Sequence, residues 1–300
     1  MLIAFLVLLA ALVLDRLFGD PRRWHPLAGF GRLAAWAEGR FHRDGRGRGA
    51  LLLAALVLPW VALVALAAQL VWGWLVALVV LTLALGWRSL DEHAEHVAVA
   101  LEADDLDQAR REVQMLVSRD TESLDAAGVS GATAESVLEN GNDALFGTIF
   151  WFLLAGAPGV VAYRLVNTLD AMWGYRNERF RHFGWAAARL DDLMNWVPAR
   201  LTALAYALAG RTRDALQCWR EQGAGWKSPN AGPVMAAGAG ALGLVLGGPG
   251  TYHGQRQWRP RLGMGAAPDA AGIRAAMALV DRALALWMAA IVIGVTLVVF

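Results

Sequence analysis

The sequence predicts an all-α, polytopic integral membrane protein, with amphipathic and re-entrant helices on the cytoplasmic side. Three observations carry this reading. Hydrophobic residues make up 57% of the 300-residue chain and charged residues only 18%, below the roughly 25% usual in soluble domains. The apolar residues gather in long uncharged runs, the pattern of bilayer-crossing helices. Arginines concentrate in two of the segments between those runs, the asymmetry that orients a membrane protein. A net charge of +1 gives no footprint for nucleic acid. The single cysteine, Cys218, excludes an intrachain disulfide, in keeping with a reducing compartment.

The elements follow in chain order, and the whole of 1–300 reads as one membrane-embedded domain. Met1 to Leu14 is apolar and is closed by Asp15 and Arg16. No Lys or Arg precedes it, so 1–18 reads as an uncleaved anchor rather than a signal peptide. Gly49 to Trp87 carries no charge and no histidine. At about 1.5 Å per residue and about 20 residues per crossing, it is long enough for two passes, placed at 50–68 and 70–87. Gln69, Trp72, Gly73 and Trp74 near its middle suit an interfacial turn, and Pro59 should kink the first pass. The last uncharged run, 283–300, is a further span.

Asp20 to Arg48 and Arg164 to Lys227 are both rich in Arg, which puts both in the cytoplasm. The hairpin between them crosses twice and preserves the side. The uncharged segment 144–163 is therefore read as re-entrant, with "AGAPG" at Ala155 to Gly159 as its break; such backbone is tolerated at membrane depth only where protein or a cavity covers it. An ordinary kinked span is the alternative. Segments 88–143 and 164–282 then lie mainly on the cytoplasmic face. Within the first, Leu106, Ala109, Val113 and Leu116 recur at helical spacing behind a capping Asp104 or Asp105. "DEHAEH" at Asp91 to His96 reads as a solvated helix face rather than a metal site. "GLVLG" at Gly243 to Gly247 has the spacing of close helix packing. No strand-like alternation stands out, and no Walker A, GxGxxG, GxSxG or CxxC motif is present.

The chemistry must lie in the polar stretches. Glu135, Glu139 and Asp143 fall at i, i+4 and i+8 on a helix, a stripe of carboxylates that repel unless a cation compensates. With Asn140 and Asn142 they form an oxygen-rich set suited to Mg²⁺. Farther on, Asn167 and Asp170 share a helix face, and "GYRNERFRHFGW" sets Arg176, Arg179 and Arg181 among Tyr175, Phe180, Phe183 and Trp185. Guanidinium groups grip phosphate bidentately, and aromatic faces pack on a planar ligand or on lipid headgroups. On the next helix Arg189, Asp192 and Trp196 share one face, and Asp191 and Asn195 the neighbouring one.

The blocks "LDRLFGDPRRWHPLAGFGRL", "RDTESLD", "AESVLENGNDALFG", "GAPGVVAYRLVNTLDAMWGYRNERFRHFGWAAARLDDLMNWVPARLTAL" and "NAGPVMAAGAGALGLVLGGPGTYHG" resemble, together and in order, the adenosylcobinamide-phosphate synthase family of cobalamin biosynthesis, CobD/CbiB. The resemblance covers nearly the whole chain. It departs where many members carry a pattern like "DGVIAPLFW" and this chain reads "DALFGTIFW". It implies an inner-membrane enzyme with its active site facing the cytoplasm. The reaction joins a carboxyl of adenosylcobyric acid to the amine of (R)-1-amino-2-propanol phosphate at the expense of ATP. Membrane lipid is the surrounding partner, and other membrane enzymes of the pathway are candidate partners.

That chemistry assigns expected roles to residues. Glu139, Asp143 and Asp192 would hold Mg²⁺, and with Asp170 as the amine's general base they form the expected catalytic set. Arg119, Arg176, Arg179 and Arg189 would hold phosphates. Asp120, Asn140, Asn167, Asn177 and Asn195 are the accompanying polar contacts. Tyr175, Phe183, Trp185 and Trp196 would form a platform for the corrinoid. Two other classes are weighed: a membrane regulator of the same ancestry, which would have lost the acidic and Arg blocks, and a transporter, which would carry charges within its spans and show repeated halves.

The topology gives a first prediction. Single cysteines at positions 46, 181 and 227, in a Cys218-free background, should resist a membrane-impermeant thiol reagent applied outside intact cells, and one at position 300 should react. Labelling at position 181 from outside would make 144–163 a full crossing.

Overall fold

The computed structural model describes residues 2–21, 23, 25–175, 177–252 and 254–299. The protein is 76% helical, an all-α membrane architecture. The helical runs Arg46–Ala67, Gly73–Glu102, Ala126–Trp173 and Ala270–Val298 are long and apolar enough to cross a membrane. They leave Leu51, Leu58, Leu63, Leu66, Val292 and Leu297 exposed, a surface that suits hydrocarbon rather than water. The chain divides into two compact units: Met1–Trp87, Asp143–Asn195 and Val298–Phe300 form the first, and Arg88–Asn142 and Trp196–Leu297 the second.

In the first unit, α1 (Leu2–Phe18) is followed by α2 (Pro26–Phe41), α3 (Arg46–Ala67) and α4 (Gly73–Ala84). His25 caps α2, its Nδ1 accepting from the Leu27 amide, with Pro26 at the first helical position, where a missing N–H costs nothing. α3 carries Pro59 internally. It ends in a turn over Ala68–Trp72, a hairpin at the place the aromatic cluster marks. Helix α5 (Trp87–Glu102) leads into the second unit. The first unit resumes in a π-helix, Gly141–Phe146, that feeds α8 (Gly147–Trp173), after α6 (Leu106–Gln114) and α7 (Ala126–Asn140) of the second unit. α8 is broken at Gly156, with φ 63° and ψ −156°, a conformation that costs only glycine little. Phe30, Leu56, Tyr163, Leu169, Trp173 and Phe183 pack in this unit's core.

The second unit adds the C-terminal part of α9 (Trp185–Ala209), then α10 (Thr212–Gln222), α11 (Ala231–Leu242), strands β1 (Val245–Gly247), β2 (Gly250–Tyr252), β3 (Gln255–Gln257) and β4 (Arg261–Gly263), and most of α12 (Ala270–Val299). Asp105 caps α6 by accepting from the Gln108 amide, and Ala109 and Val113 are its buried face. α11 approaches α10 backbone to backbone: a Cβ at Gly240 would lie 2.7 Å from the Asp214 carbonyl oxygen.

Three expectations change here. Gly243 and Gly247 are not a helix-packing pair; Gly243 ends α11 in the left-handed region, φ 70°, and Gly247 lies in β1. Gly238 and Gly240 provide the close approach instead. Short antiparallel ladders exist where no alternation was legible, pairing Val245–Gly247 with Arg261–Gly263 and Gly250–Tyr252 with Gln255–Gln257. Three-residue strands are too short to show a period. The carboxylate stripe is also interrupted, because residues 141–146 wind as a π-helix. Its wider turn breaks the i, i+4 register before Asp143.

Glu135 of α7 organises the second unit. Its Oε2 accepts from Arg119 NH2 at 2.8 Å and Arg259 NH1 at 2.9 Å, and its Oε1 from the Gly247 amide at 2.7 Å. All three side chains are buried. Arg259 also donates Nε to the Gly248 carbonyl at 3.0 Å and lies over the Trp226 ring. The glycine turn at Gly247–Gly250 is thereby tied to α7 by charge. Asp120 extends the tie, accepting from the Gly254 amide at 2.8 Å.

Replacing Glu135 by Ala strands two buried guanidinium groups. A loss of about 3–5 kcal/mol is expected when one partner of a buried pair is removed. Thermal melting in detergent should show a drop of several degrees or more. An unchanged melting temperature would mean that the ion cluster does not hold this unit together.

Candidate active site

The first unit brings a set of polar side chains to the seam between α8 and the N-terminal part of α9. Asp143 comes from the π-helix, Tyr163, Arg164 and Asn167 from α8, and Asp191 and Asn195 from α9. Tyr163 and Asn167 stack at i and i+4, Arg164 lies three positions before Asn167, and 191 and 195 stack at i and i+4.

Asn167 Nδ2 donates to Asp191 Oδ1 at 3.1 Å and reaches Asp143 Oδ2 at 3.5 Å, so one amide sits between two carboxylates. Asn195 Nδ2 lies 3.3 Å from both Asp191 oxygens. The Tyr163 hydroxyl lies 2.8 Å from Asn195 Oδ1 and 3.0 Å from the Asp143 backbone carbonyl. Arg164 NH1 donates to that same carbonyl at 3.1 Å. Tyr163 fits because residue 147 is glycine; a Cβ there would lie 2.2 Å from the Tyr163 hydroxyl oxygen.

Burial pushes the Asp191 carboxyl up to about 7; the neighbouring Asp143 charge adds to the rise, the Asn167 and Asn195 hydrogen bonds oppose it, and Asp192 adds a smaller push. Asn167 and Asn195 are neutral donors, so they orient the carboxylate without cancelling its charge. The result is a carboxyl able to hold or release a proton near neutrality, beside a second carboxylate.

The expected residues divide on this geometry. Asp143, Asn167 and Asn195 belong to the cluster. Asp192 does not take the expected place: it lies 3.9 Å from Arg189 at i, i+3, and its neighbour Asp191 faces Asp143. One residue is about 100° of helix, so only one of the two carboxyls can point into the seam. Asp170 lies farther along α8, against Gly174. Glu139 lies at the end of α7 in the second unit. Among the described residues, no group of three or more His, Cys, Asp or Glu is arranged to hold a metal ion.

The expected phosphate-binding and polar residues are mostly engaged. Arg119 is buried on Glu135, and Asp120 holds the Gly254 amide. Asn140 donates to Ser136 at 2.9 Å. Asn177 caps the Phe180 amide at 2.9 Å. Arg179 donates twice to Glu38 Oε1, at 2.6 and 2.9 Å, and its carbonyl meets His42 Nε2. Arg189 keeps 65% of its side chain exposed. Arg176 lies outside the described residues. Of the aromatic platform, Tyr175, Trp185 and Trp196 are exposed, but Phe183 is buried against Trp173 and His42. Asp191, Tyr163 and Arg164 were not among the expected site residues. The i, i+4 pairing of Asp191 with Asn195 was the available signal; Tyr163 and Arg164 sit at the end of an apolar run and gave none.

Comparison with known proteins supplies the relationship. The family model described as "CobD/Cbib protein" matches residues 8–280. A relative named "Cobalamin biosynthesis protein CobD" from Stutzerimonas stutzeri is 57% identical over 97% of this chain and 97% of its own length. One of the same name from Chromobacterium violaceum is 55% identical over 93% of each chain, and one from Mycobacterium tuberculosis is 45% identical over 89% of this chain and 88% of its own length. No solved structure matches. The chain belongs to the CobD/CbiB family.

Asp191 gives a pH prediction. Its folded-state pKa is raised, so the folded protein binds more protons than the unfolded chain between pH about 4 and about 7. The stability it contributes is present at low pH and is lost as pH rises through 7. Asp191→Asn should therefore melt higher than the wild type at pH 8, and the advantage should shrink towards pH 5.5. An equal difference at both pH values would remove the raised carboxyl from the account.

Proposed function

We propose, from membership of the CobD/CbiB family and a role in cobalamin biosynthesis, that this protein is an adenosylcobinamide-phosphate synthase. It joins adenosylcobyric acid to (R)-1-amino-2-propanol phosphate with consumption of ATP. The observation that carries the assignment of the site is the Asp143–Asp191 pair, two carboxylates that the Asn167 amide reaches together.

A carboxylate is a poor acyl donor, so ATP first converts the corrinoid carboxyl to an acyl phosphate or acyl adenylate. The amine arrives as an ammonium ion, and the Asp143–Asp191 pair attracts it. Asp191 takes the ammonium proton, a task suited to a group that titrates near neutrality. The freed amine forms the C–N bond as the C–O bond to the activating phosphate breaks, the electron pair leaves on that oxygen, and the second nitrogen proton departs with the released phosphate. Asn167 and Asn195 hold the Asp191 carboxyl in place, and Tyr163 fixes Asn195. The same pair fits one Mg²⁺ shared with substrate phosphates, because two carboxylates with further positions left open suit an ion that keeps waters and phosphate oxygens. When bound, that ion would offset phosphate charge during acyl activation. Arg189, with Tyr175 and Trp185, is exposed and available to phosphates and corrinoid. We place the site on the cytoplasmic side of the inner membrane, where ATP is supplied.

Purified protein in lipid, given adenosylcobyric acid, aminopropanol phosphate, ATP and Mg²⁺, should yield adenosylcobinamide phosphate by mass spectrometry. Asp143→Asn and Asp191→Asn should lower kcat by about 100-fold or more, the scale of general acid–base contributions. Asp192→Asn should stay within a few-fold of wild type. No product beside an active relative would end the assignment; an active Asp191→Asn would end the assignment of the base.

A further inference from the structure

The first unit has a half-open cavity of about 470 Å³ that the proposed reaction does not use. This is the size of a small-molecule site. Leu27, Phe30 and Leu33 of α2 line it, with Trp60 of α3, Val80 of α4 and Val161 of α8. The lining is apolar except for Arg164.

Two facts narrow the occupant. First, the walls from α3, α4 and α8 belong to helical runs long and apolar enough to cross a membrane, so the medium around them is hydrocarbon. An apolar groove there meets acyl chains, not water. Second, two buried donors at this place have no hydrogen-bond partner among the described residues, Arg164 Nε and His25 Nε2. Arg164 spends NH1 on the Asp143 carbonyl. His25 uses Nδ1 as acceptor for the Leu27 amide, and its Nε2 lies 3.6 Å from Asp20 Oδ1, beyond hydrogen-bond reach. His25 directly precedes Pro26 and Leu27, both of which line the cavity. A buried donor left unpaired costs about 1–3 kcal/mol. An apolar groove ending at such donors calls for a ligand with an apolar chain and an acceptor oxygen at its head.

We propose that this cavity binds a phospholipid drawn from the bilayer, with an acyl chain between α2, α3, α4 and α8 and a phosphate oxygen accepting from Arg164 Nε. The site is separate from the acyl-transfer chemistry but shares Arg164 with it. The guanidinium holds the Asp143 carbonyl with one nitrogen and the lipid with another, so lipid occupancy steadies the backbone beside the carboxylate pair.

The test uses full-length protein in nanodiscs and phosphatidylglycerol carrying a diazirine in its acyl chain, with the crosslinks mapped by mass spectrometry. Label should concentrate at 26–33, 60–64, 80–84 and 160–165. Diacylglycerol with the same chain should label about 10-fold less. Leu33→Trp and Val161→Trp fill the cavity and should reduce labelling about 10-fold without changing the melting temperature. Arg164→Gln should erase the preference for phosphatidylglycerol over diacylglycerol. Label spread evenly over outward residues such as Leu51 and Leu66 would overturn the proposal, since it would report only the surrounding bilayer. Equal labelling by the two lipids in the wild type would overturn the phosphate contact. Displacement of the label by inorganic phosphate alone, with the acyl chain irrelevant, would make this a free-phosphate site and would also overturn it. The wild-type crosslink map decides the matter even if a Trp variant fails to fold.

Discussion

The first unit depends on keeping two half-buried carboxylates together. Like charges held together repel, and the usual remedy is a neighbouring cation. Here the side-chain amide of Asn167 reaches both Asp143 and Asp191, and that of Asn195 holds Asp191. Amides fix direction without themselves neutralising charge, and Asp191 stays responsive to a proton. Much of the surrounding structure serves that arrangement. The π-turn presents Asp143, the absent side chain at Gly147 admits the Tyr163 ring, and α9 brings Asp191 and Asn195 one turn apart.

The second unit treats a carboxylate in the opposite way. Glu135 receives two guanidinium groups and a backbone amide, so its charge is fully answered. A group satisfied to that degree has little left to offer a substrate, and it works as a tie between α7 and the glycine turn. Arg119, which the sequence suggested for phosphate, is spent in the same tie. Residue type alone therefore separates scaffold from chemistry poorly. The decisive variable is whether the partners of a buried charge cancel it or merely hold it.

The architecture was readable because its signals are long. Uncharged runs mark the helices that can cross a membrane, the aromatic turn marks the α3–α4 hairpin, and "AGAPG" marks the break at Gly156. What stayed hidden was short. A single π-turn shifts the register at 141–146 without leaving a compositional trace. The ladders pair three-residue strands that cannot display alternation. Choosing between Asp191 and Asp192 requires knowing the rotation of α9 to within one residue, and an amphipathic pattern does not fix that in a helix with polar residues on neighbouring faces. Asn167, Asn195 and Asp143 could be picked out because helix spacing groups them with other polar residues; Tyr163 could not, because it looks like the end of an apolar run.

The hydroxyl of Tyr163 has one hydrogen and two acceptors within reach, the Asp143 carbonyl on its own stretch of chain and Asn195 on α9. It can serve only one at a time. When it turns to Asn195, Arg164 still covers the carbonyl; when it turns back, Asn195 keeps its grip on Asp191 through the other end of the amide. The seam between the two helices is thus joined by a bond that can be handed over rather than broken. Small sliding of α9 along α8, of the sort that admitting a bulky substrate requires, can proceed while Asn195 stays bonded to Asp191 and the Asp143 carbonyl to Arg164.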